Sequence, residues 1–365
     1  MKVNIKQAFN KKRILAIILV IVAILIMVIS NPEIKDFFSK TSALRLNFQT
    51  GVEYDIIDYG KEVLLVNNEG IFAIDKAGRE AWTIVSAATS PFVRISGKYI
   101  MLADINGKEV KTFKKEKAVA QIKTENEILT AKVNNNGYIA VATDELGFKG
   151  MVALYGKGGR ELFKWHSGSG YIGDIDVSSS NKLVVAQVMT DKEALCSKIL
   201  LINPSSQKEP ECIAEVPGIV AKLAFNDDGS VIALTESGLY GYKRSGKQKF
   251  EVDFGGRNLL KVNIENKNNL VLAFDSGLNS TVLESYSSDG KLRGSFDCGS
   301  EVRAIDVNGE CIVAATHDNL VRISPKGKLK QELKASKDVK AVKIFDGRSK
   351  LLSLGDNSAE IIDIK

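Results

Sequence analysis

The sequence predicts an all-β, eight-bladed β-propeller preceded by one N-terminal transmembrane helix. Three observations carry that expectation. A turn-forming anchor residue recurs eight times at intervals of 37 to 47 residues. Beyond residue 43 the chain is almost wholly short apolar runs separated by clusters of Gly, Asn, Asp or Ser, without a helical period. Residues 14–29 form an unbroken apolar run behind five cations.

Residues 1–13 form a basic tail containing Lys2, Lys6, Lys11, Lys12 and Arg13 and no acid. The following run, Ile14 to Ile29, favours insertion by about 5 to 8 kcal/mol and spans about 24 Å as a helix, with Arg13, Lys12 and Ser30 completing the crossing. Residues 14–30 are therefore expected to be a single-pass anchor. The basic flank places the N-terminus in the cytoplasm and the rest outside the cell membrane. A cleaved signal peptide is the alternative, with Val28-Ile29-Ser30 as its site. The apolar run is longer than the usual h-region and meets that site without a polar segment. A linker of about a dozen residues, 31–42, then leads to the propeller over 43–365, which should keep the ring close to the bilayer.

The anchors are Ile74, Phe113, Tyr155, Ile202, Tyr242, Tyr286, Ile323 and Ile362, most followed by a polar turn closing in Gly-Lys or Gly-Arg. Four short strands and their turns need about forty residues, so each unit reads as one propeller blade. The fifth shows the pattern: strand A over Ile219 to Phe225, B over Ser230 to Thr235, C over Leu239 to Tyr242 and D over Lys249 to Phe254. Strand B is the most apolar in almost every unit, as at Val63 to Val66, Ile139 to Ala142 and Leu270 to Phe274. Such continuity fits strands buried on both faces. The last unit lacks strand D, and residues 44–49 supply a spare alternating segment to complete it. A seven-bladed ring is the alternative, reached by merging the irregular second and third units.

The charge balance argues against nucleic acid. The chain has 50 Lys and Arg against 44 Asp and Glu, but setting aside the five N-terminal cations leaves 45 against 44. Of the four cysteines, Cys196 and Cys212 are expected near each other across a hairpin about Pro204 to Gln207, either bridged or reduced. Cys298 and Cys311 fall in different sheets.

The segment Ala73-Ile74-Asp75-Lys76-Ala77-Gly78-Arg79-Glu80-Ala81-Trp82 resembles the A-x-D-x-x-G-x-x-x-W repeat of pyrroloquinoline-quinone-like (PQQ-like) propellers. Ala153 to Arg160, ending at Trp165, resembles a degenerate copy. Across residues 44–365, with the anchor, the whole is similar to uncharacterised membrane-anchored PQQ-like propellers of Gram-positive bacteria. The resemblance implies a WD40-like or quinoprotein-like fold rather than one activity, since such propellers include dehydrogenases, scaffolds and receptors. Quinoprotein dehydrogenases of this family use an Asp base, a Ca²⁺ site, a stacking Trp and commonly adjacent disulfide-bonded cysteines. Here no two cysteines are adjacent, Trp82 and Trp165 occupy repeat positions, and the only histidines are His166 and His317. No catalytic, cofactor or metal site is expected.

The candidate partner-binding residues are acids at the B–C turns: Asp104, Asp144, Asp191, Asp275, Asp318 and Asp356, with Glu69 and Glu236. Propeller geometry puts them on one face, as a surface for a cationic partner or simply as the residues that tight turns require. The opposite face collects Lys and Arg of the C–D turns, such as Lys76, Arg79, Lys114, Lys157, Lys243 and Lys326. Aromatics on D strands, Trp82 and Trp165 among them, read as packing between blades. The function expected is a non-catalytic scaffold or sensor for a protein or cell-envelope partner. The alternative is a PQQ- or calcium-dependent oxidoreductase with its site in the channel. A cytoplasmic-facing propeller would require inverted topology.

Overall fold

In the computed structural model the described residues are 43–46, 52–191, 194–206, 208–266, 268–334, 339–356 and 358–364. The expected span at 14–30 and linker at 31–42 lie outside them. Among the described residues no helix is long and apolar enough to cross a membrane.

Among the described residues, thirty-two strands form eight four-stranded sheets, seven of them antiparallel meanders of consecutive strands. Neighbouring sheets pack against one another around the ring, and the first sheet packs on the last. Blades 1 to 7 span Asp55–Val85, Pro91–Lys123, Ile128–His166, Tyr171–Pro217, Lys222–Asp253, Leu259–Asp297 and Val302–Lys334. The second and third units are separate sheets, so the ring has eight blades and not seven. Blade 8 takes its inner three strands from Val339–Asp363 and its outermost strand from Ala43–Arg45. The Leu46 amide extends this pairing by donating to the Ala359 carbonyl at 2.8 Å. The spare segment therefore closes the ring as expected, although residues 47–49 lie outside the described set.

Each B strand is buried on both faces because its two side-chain rows enter different cores. In blade 1, Val63 and Leu65 join a cluster with Phe345, Leu352 and Ile361 of blade 8. The alternate residues, Leu64 and Val66, join Val93, Ile100 and Leu102 of blade 2. Blade 3 repeats the arrangement, Ile139 and Val141 facing blade 2 while Ala140 and Ala142 face blade 4. Eight hydrophobic clusters result, one in each gap between neighbouring blades.

The recurrent anchor and its Gly-Lys or Gly-Arg turn have a single backbone cause. At Ile74, Phe113, Tyr155, Tyr242, Tyr286 and Ile323 the C–D ladder shifts register, so the anchor is a β-bulge residue. In the turn after Tyr242, the Gly246 amide donates to the Lys243 carbonyl at 2.9 Å and the Lys243 amide to the Lys247 carbonyl at 2.8 Å. Gly246 has φ +80°, the left-handed conformation that a type I turn followed by a bulge requires. Gly78, at φ +74°, does this in blade 1 and also lies under the closing strand: a β-carbon there would fall 2.5 Å from Leu46 and 2.7 Å from Leu44.

One expectation is corrected. The blade 4 register sets Cys196 opposite Pro217 and Cys212 opposite Leu200. The two cysteines thus sit four levels apart, roughly 13 Å along the strand, beyond disulfide reach. All four cysteines are free thiols.

Candidate functional site

Two regions bear on function: the central channel and the face formed by the B–C turns. Each blade runs from its inner to its outer strand. A–B and C–D turns therefore share one face, while B–C turns and the connections between blades share the other.

The channel is lined by charges that reading the chain did not single out. Blade 1 contributes Asp55 and Asp58, blade 2 Arg94, blade 3 Lys132, blade 4 Asp174 and Asp176, blade 5 Lys222, blade 6 Glu265, blade 7 Asp306 and blade 8 Lys343. Several carboxylates tie one blade to the next. Asp174 accepts from the Leu223 amide at 2.9 Å, Asp176 from the Phe225 amide at 2.7 Å, and Asp306 from the Ile344 amide at 2.8 Å. The inner edge of an innermost strand has no further strand to pair with, so these side chains satisfy donors that the ring would otherwise leave open. Burial pushes the Asp176 carboxyl up, and the Phe225 amide and Lys132 only partly offset it.

Arg94 and Glu265 meet across the ring at 3.7 Å, from blades four positions apart, and Lys222 adds a contact to Glu265 at 3.9 Å. This pair borders three lobes of about 530, 330 and 280 Å³. Burial acts to raise the Glu265 carboxyl, but Arg94, Lys222, Lys343 and Lys132 together leave it lowered, so it stays ionised. The largest lobe holds Asp55, Asp58, Asp306, Asn263 and Asn308. The positive charge beside these oxygens is already supplied by Lys343, whose ammonium lies 2.8 Å from Asp306.

Trp82 and Trp165 lie on outermost strands, not in the channel, and no described cluster of His, Cys, Asp or Glu has metal-binding geometry.

Asp58 makes a testable contribution to pH dependence. Burial, then the nearby Asp306, raises its pKa from 3.8 to about 6 against opposing contributions from the Gly60 amide, Lys343 and Asn308. A raised acid favours the folded state fully below its unfolded pKa and loses that advantage as pH climbs through about 6. Asp58→Asn should therefore match the parent near pH 4 and exceed it at pH 7.5 by about 1 to 2 kcal/mol, allowing for partial exposure. Urea midpoints at both pH values measure this; equal midpoints at pH 7.5 would contradict the assignment.

On the B–C face, Asp144, Asp318 and Asp356 lie in the turns expected for them. Asp104 and Asp191 instead end their B strands and Asp275 lies within one, because those strands run further than the sequence suggested. Several of these acids serve the local backbone. Asp104 accepts from the Ser90 amide at 2.8 Å, Asp144 from the Glu145 amide at 3.0 Å and Asp275 from the Gly277 amide at 2.8 Å. Asp318 pairs with His317 and Asp356 with Lys340. Asp191 ends the second strand of blade 4, and its side chain lies outside the described residues. Glu69 and Glu236 are exposed there as well.

The same face carries exposed apolar side chains. Leu146 is 94 % exposed, Tyr171 63 %, Leu195 51 %, Phe148 47 % and Ile219 44 %. These residues come from blades 3 and 4 and the connection to blade 5. Blade 4 also extends a longer hairpin. Its B and C strands pair as far as Asp191 and Ala194, three levels beyond Val188 where strand A stops, projecting about 10 Å. Ile219, expected within strand A of blade 5, precedes that strand, which begins at Lys222. Exposed apolar turn residues read as strand continuation, which is why the sequence did not separate them.

Residues 35–364 match the model of a family of unknown function, DUF5711. The chain belongs to that family. No curated protein matches it. Among solved structures, BamB from Moraxella catarrhalis is similar over 89 % of this chain and 99 % of its own, with a TM-score of 0.53 and 10 % identity. The C-terminal WD40 domain of Sif2 gives 0.59 and 13 %, covering 87 % of this chain and 100 % of the domain. Chaetomium thermophilum Sqt1, solved bound to the N-terminus of ribosomal protein L10, gives 0.58 and 11 %, covering 89 % of this chain and 100 % of that chain. At these identities the likeness is one of fold. This DUF5711 protein thus shares the propeller with BamB and with WD40 proteins.

Proposed function

We propose that this protein is a membrane-tethered, extracytoplasmic propeller that acts without catalysis, holding a protein or envelope partner on its B–C face. The observation that carries the reading is the gathering of exposed apolar side chains from neighbouring blades onto one face, where monomeric proteins seldom leave them uncovered. The channel supports it indirectly, because its ionised groups are spent on pairing with each other and on tying blades together. Sqt1, of the same fold, was solved with a protein segment bound. The anchor rests on the basic, then apolar, first thirty residues.

A photo-cross-linking residue at Phe148 of the full chain in native membranes should capture a discrete partner, whereas one at Leu329 on the outer strand of blade 7 should not. Protease added to intact cells should cut the propeller. Protection of the propeller in intact cells, or identical capture from both positions, would refute the reading.

A further inference from the structure

The exposed apolar residues of blades 3 to 5 lie in two neighbouring groups on the B–C face. Phe148 packs against His166 with ring centres 4.7 Å apart and planes tilted by 37°, and the next residue, Lys149, lies 4.7 Å from the Tyr171 ring and donates to its hydroxyl at 3.1 Å. Further along, the Gly218 amide donates to the Leu195 carbonyl at 3.0 Å, and the Ile219 amide donates to the Glu236 carboxylate at 3.3 Å. Contact thus runs from the blade 3 turn to the start of blade 4, and from the projecting blade 4 hairpin to the blade 5 turn.

The rim of this surface is mainly acidic, although Lys108 donates to the Glu125 carbonyl at 2.8 Å at its edge and Lys123 is exposed nearby. Glu125, Glu127, Asp144 and Glu236 are exposed around it, and Glu145 stands beside them. Lys149 lies within it, and that ammonium rests on Tyr171. Charge complementarity selects the occupant. An anionic bilayer would meet like charge, and a second copy docking through the same patch would set acid against acid. A partner that buries Leu146, Phe148, Tyr171 and Ile219 while answering the rim must present apolar and cationic groups together.

We infer that this surface docks a basic amphipathic segment of a partner protein, with apolar side chains against blades 3 and 4 and Lys or Arg toward the acidic rim. The inference rests on the scaffold reading and specifies the chemistry of its partner.

The test uses the full chain in phosphatidylcholine nanodiscs, with empty nanodiscs as reference, and three labelled synthetic 18-residue peptides. The first is a Leu/Lys amphipathic helix, the second its Leu/Glu counterpart and the third a Lys-containing scramble without an apolar face. Only the first should bind saturably. The double variant Leu146→Ser/Phe148→Ser and the charge variant Glu127→Gln/Asp144→Asn/Glu236→Gln should each weaken it at least tenfold. The charge variant should also flatten its salt dependence. Leu329→Ser should change nothing, and unchanged thermal melting of every variant confirms the fold. Equal binding of the Glu or scrambled peptide, or indifference to both variants, overturns the inference. Capture of a partner at Phe148 together with no binding of the Leu/Lys peptide would overturn the basic-segment chemistry alone and leave the scaffold reading standing.

Discussion

Replacing Asp306 by alanine should lower stability by about 3 to 5 kcal/mol, the cost of leaving a buried charge without its partner. The Asp306 side chain is 4 % exposed and serves two donors of blade 8 at once. One oxygen accepts from the Lys343 ammonium and the other from the Ile344 amide, each at 2.8 Å. Burial alone would lower the Lys343 pKa, but the fields of Asp306, Glu265 and Asp55 raise it, so the ammonium stays charged in the channel. Alanine orphans the amide and leaves the ammonium with only the fields of Glu265 and Asp55. Lys343→Met in the same background removes the stranded charge and should recover part of the loss, leaving mainly the unpaired Ile344 amide, worth about 1 to 3 kcal/mol. Denaturant midpoints of the two single variants and the double variant form the required cycle. A double variant no more stable than Asp306→Ala would show that the pair does not hold blade 7 to blade 8.

The second large effect concerns closure. A chain beginning at residue 43 should fold as the parent does, whereas one beginning at residue 52 should lose about 4 kcal/mol, from a few backbone hydrogen bonds near 1 kcal/mol each and one part-buried leucine. Three contributions disappear with the segment: the pairing of Ala43–Arg45 with the blade 8 edge, the Leu46 amide bond to Ala359, and the leucine cover over Gly78. The exposed Arg45–Glu360 ion pair at 3.3 Å adds little. The shorter chain also bares the edge of Ala359–Asp363, which should promote strand pairing between molecules. Thermal melting and size-exclusion chromatography separate the two truncations. A peptide covering residues 43–51 should restore the shorter one by adding a strand in trans. Equal melting and equal monodispersity of both would mean that closure does not depend on this segment.

Much of the fold was legible because a propeller repeats its local rules. The apolar B strands announced burial on both faces. The anchors announced a strand end and turn, which the backbone builds with a bulge in the same way at Tyr155, Tyr242, Tyr286 and Ile323. The spare segment at residue 44 announced closure, since the last unit lacked one strand. The blade 4 hairpin was less legible: its polar tip resembled an ordinary turn, and its register placed Cys196 and Cys212 apart.

The candidate site was legible only in part. Acids at the B–C turns could be placed on one face from topology alone, yet the apolar surface beside them depends on where strands stop. Ile219 becomes exposed because blade 5 begins three residues later, and Leu146 and Phe148 because their turn leaves the sheet. Nothing in a single inner strand distinguishes a channel charge from one facing bulk solvent.

By itself, then, the sequence determined the repeat, the alternation that buries each B strand, and the complementary ends of the ring. These are properties of neighbours along the chain, set by side-chain period and turn chemistry. The tertiary structure alone decided which distant charges meet and which apolar residues remain uncovered. Arg94 and Glu265 stand 171 positions apart and touch only because ring closure brings opposite blades to a common axis, where their ionised groups must pair or remain solvated.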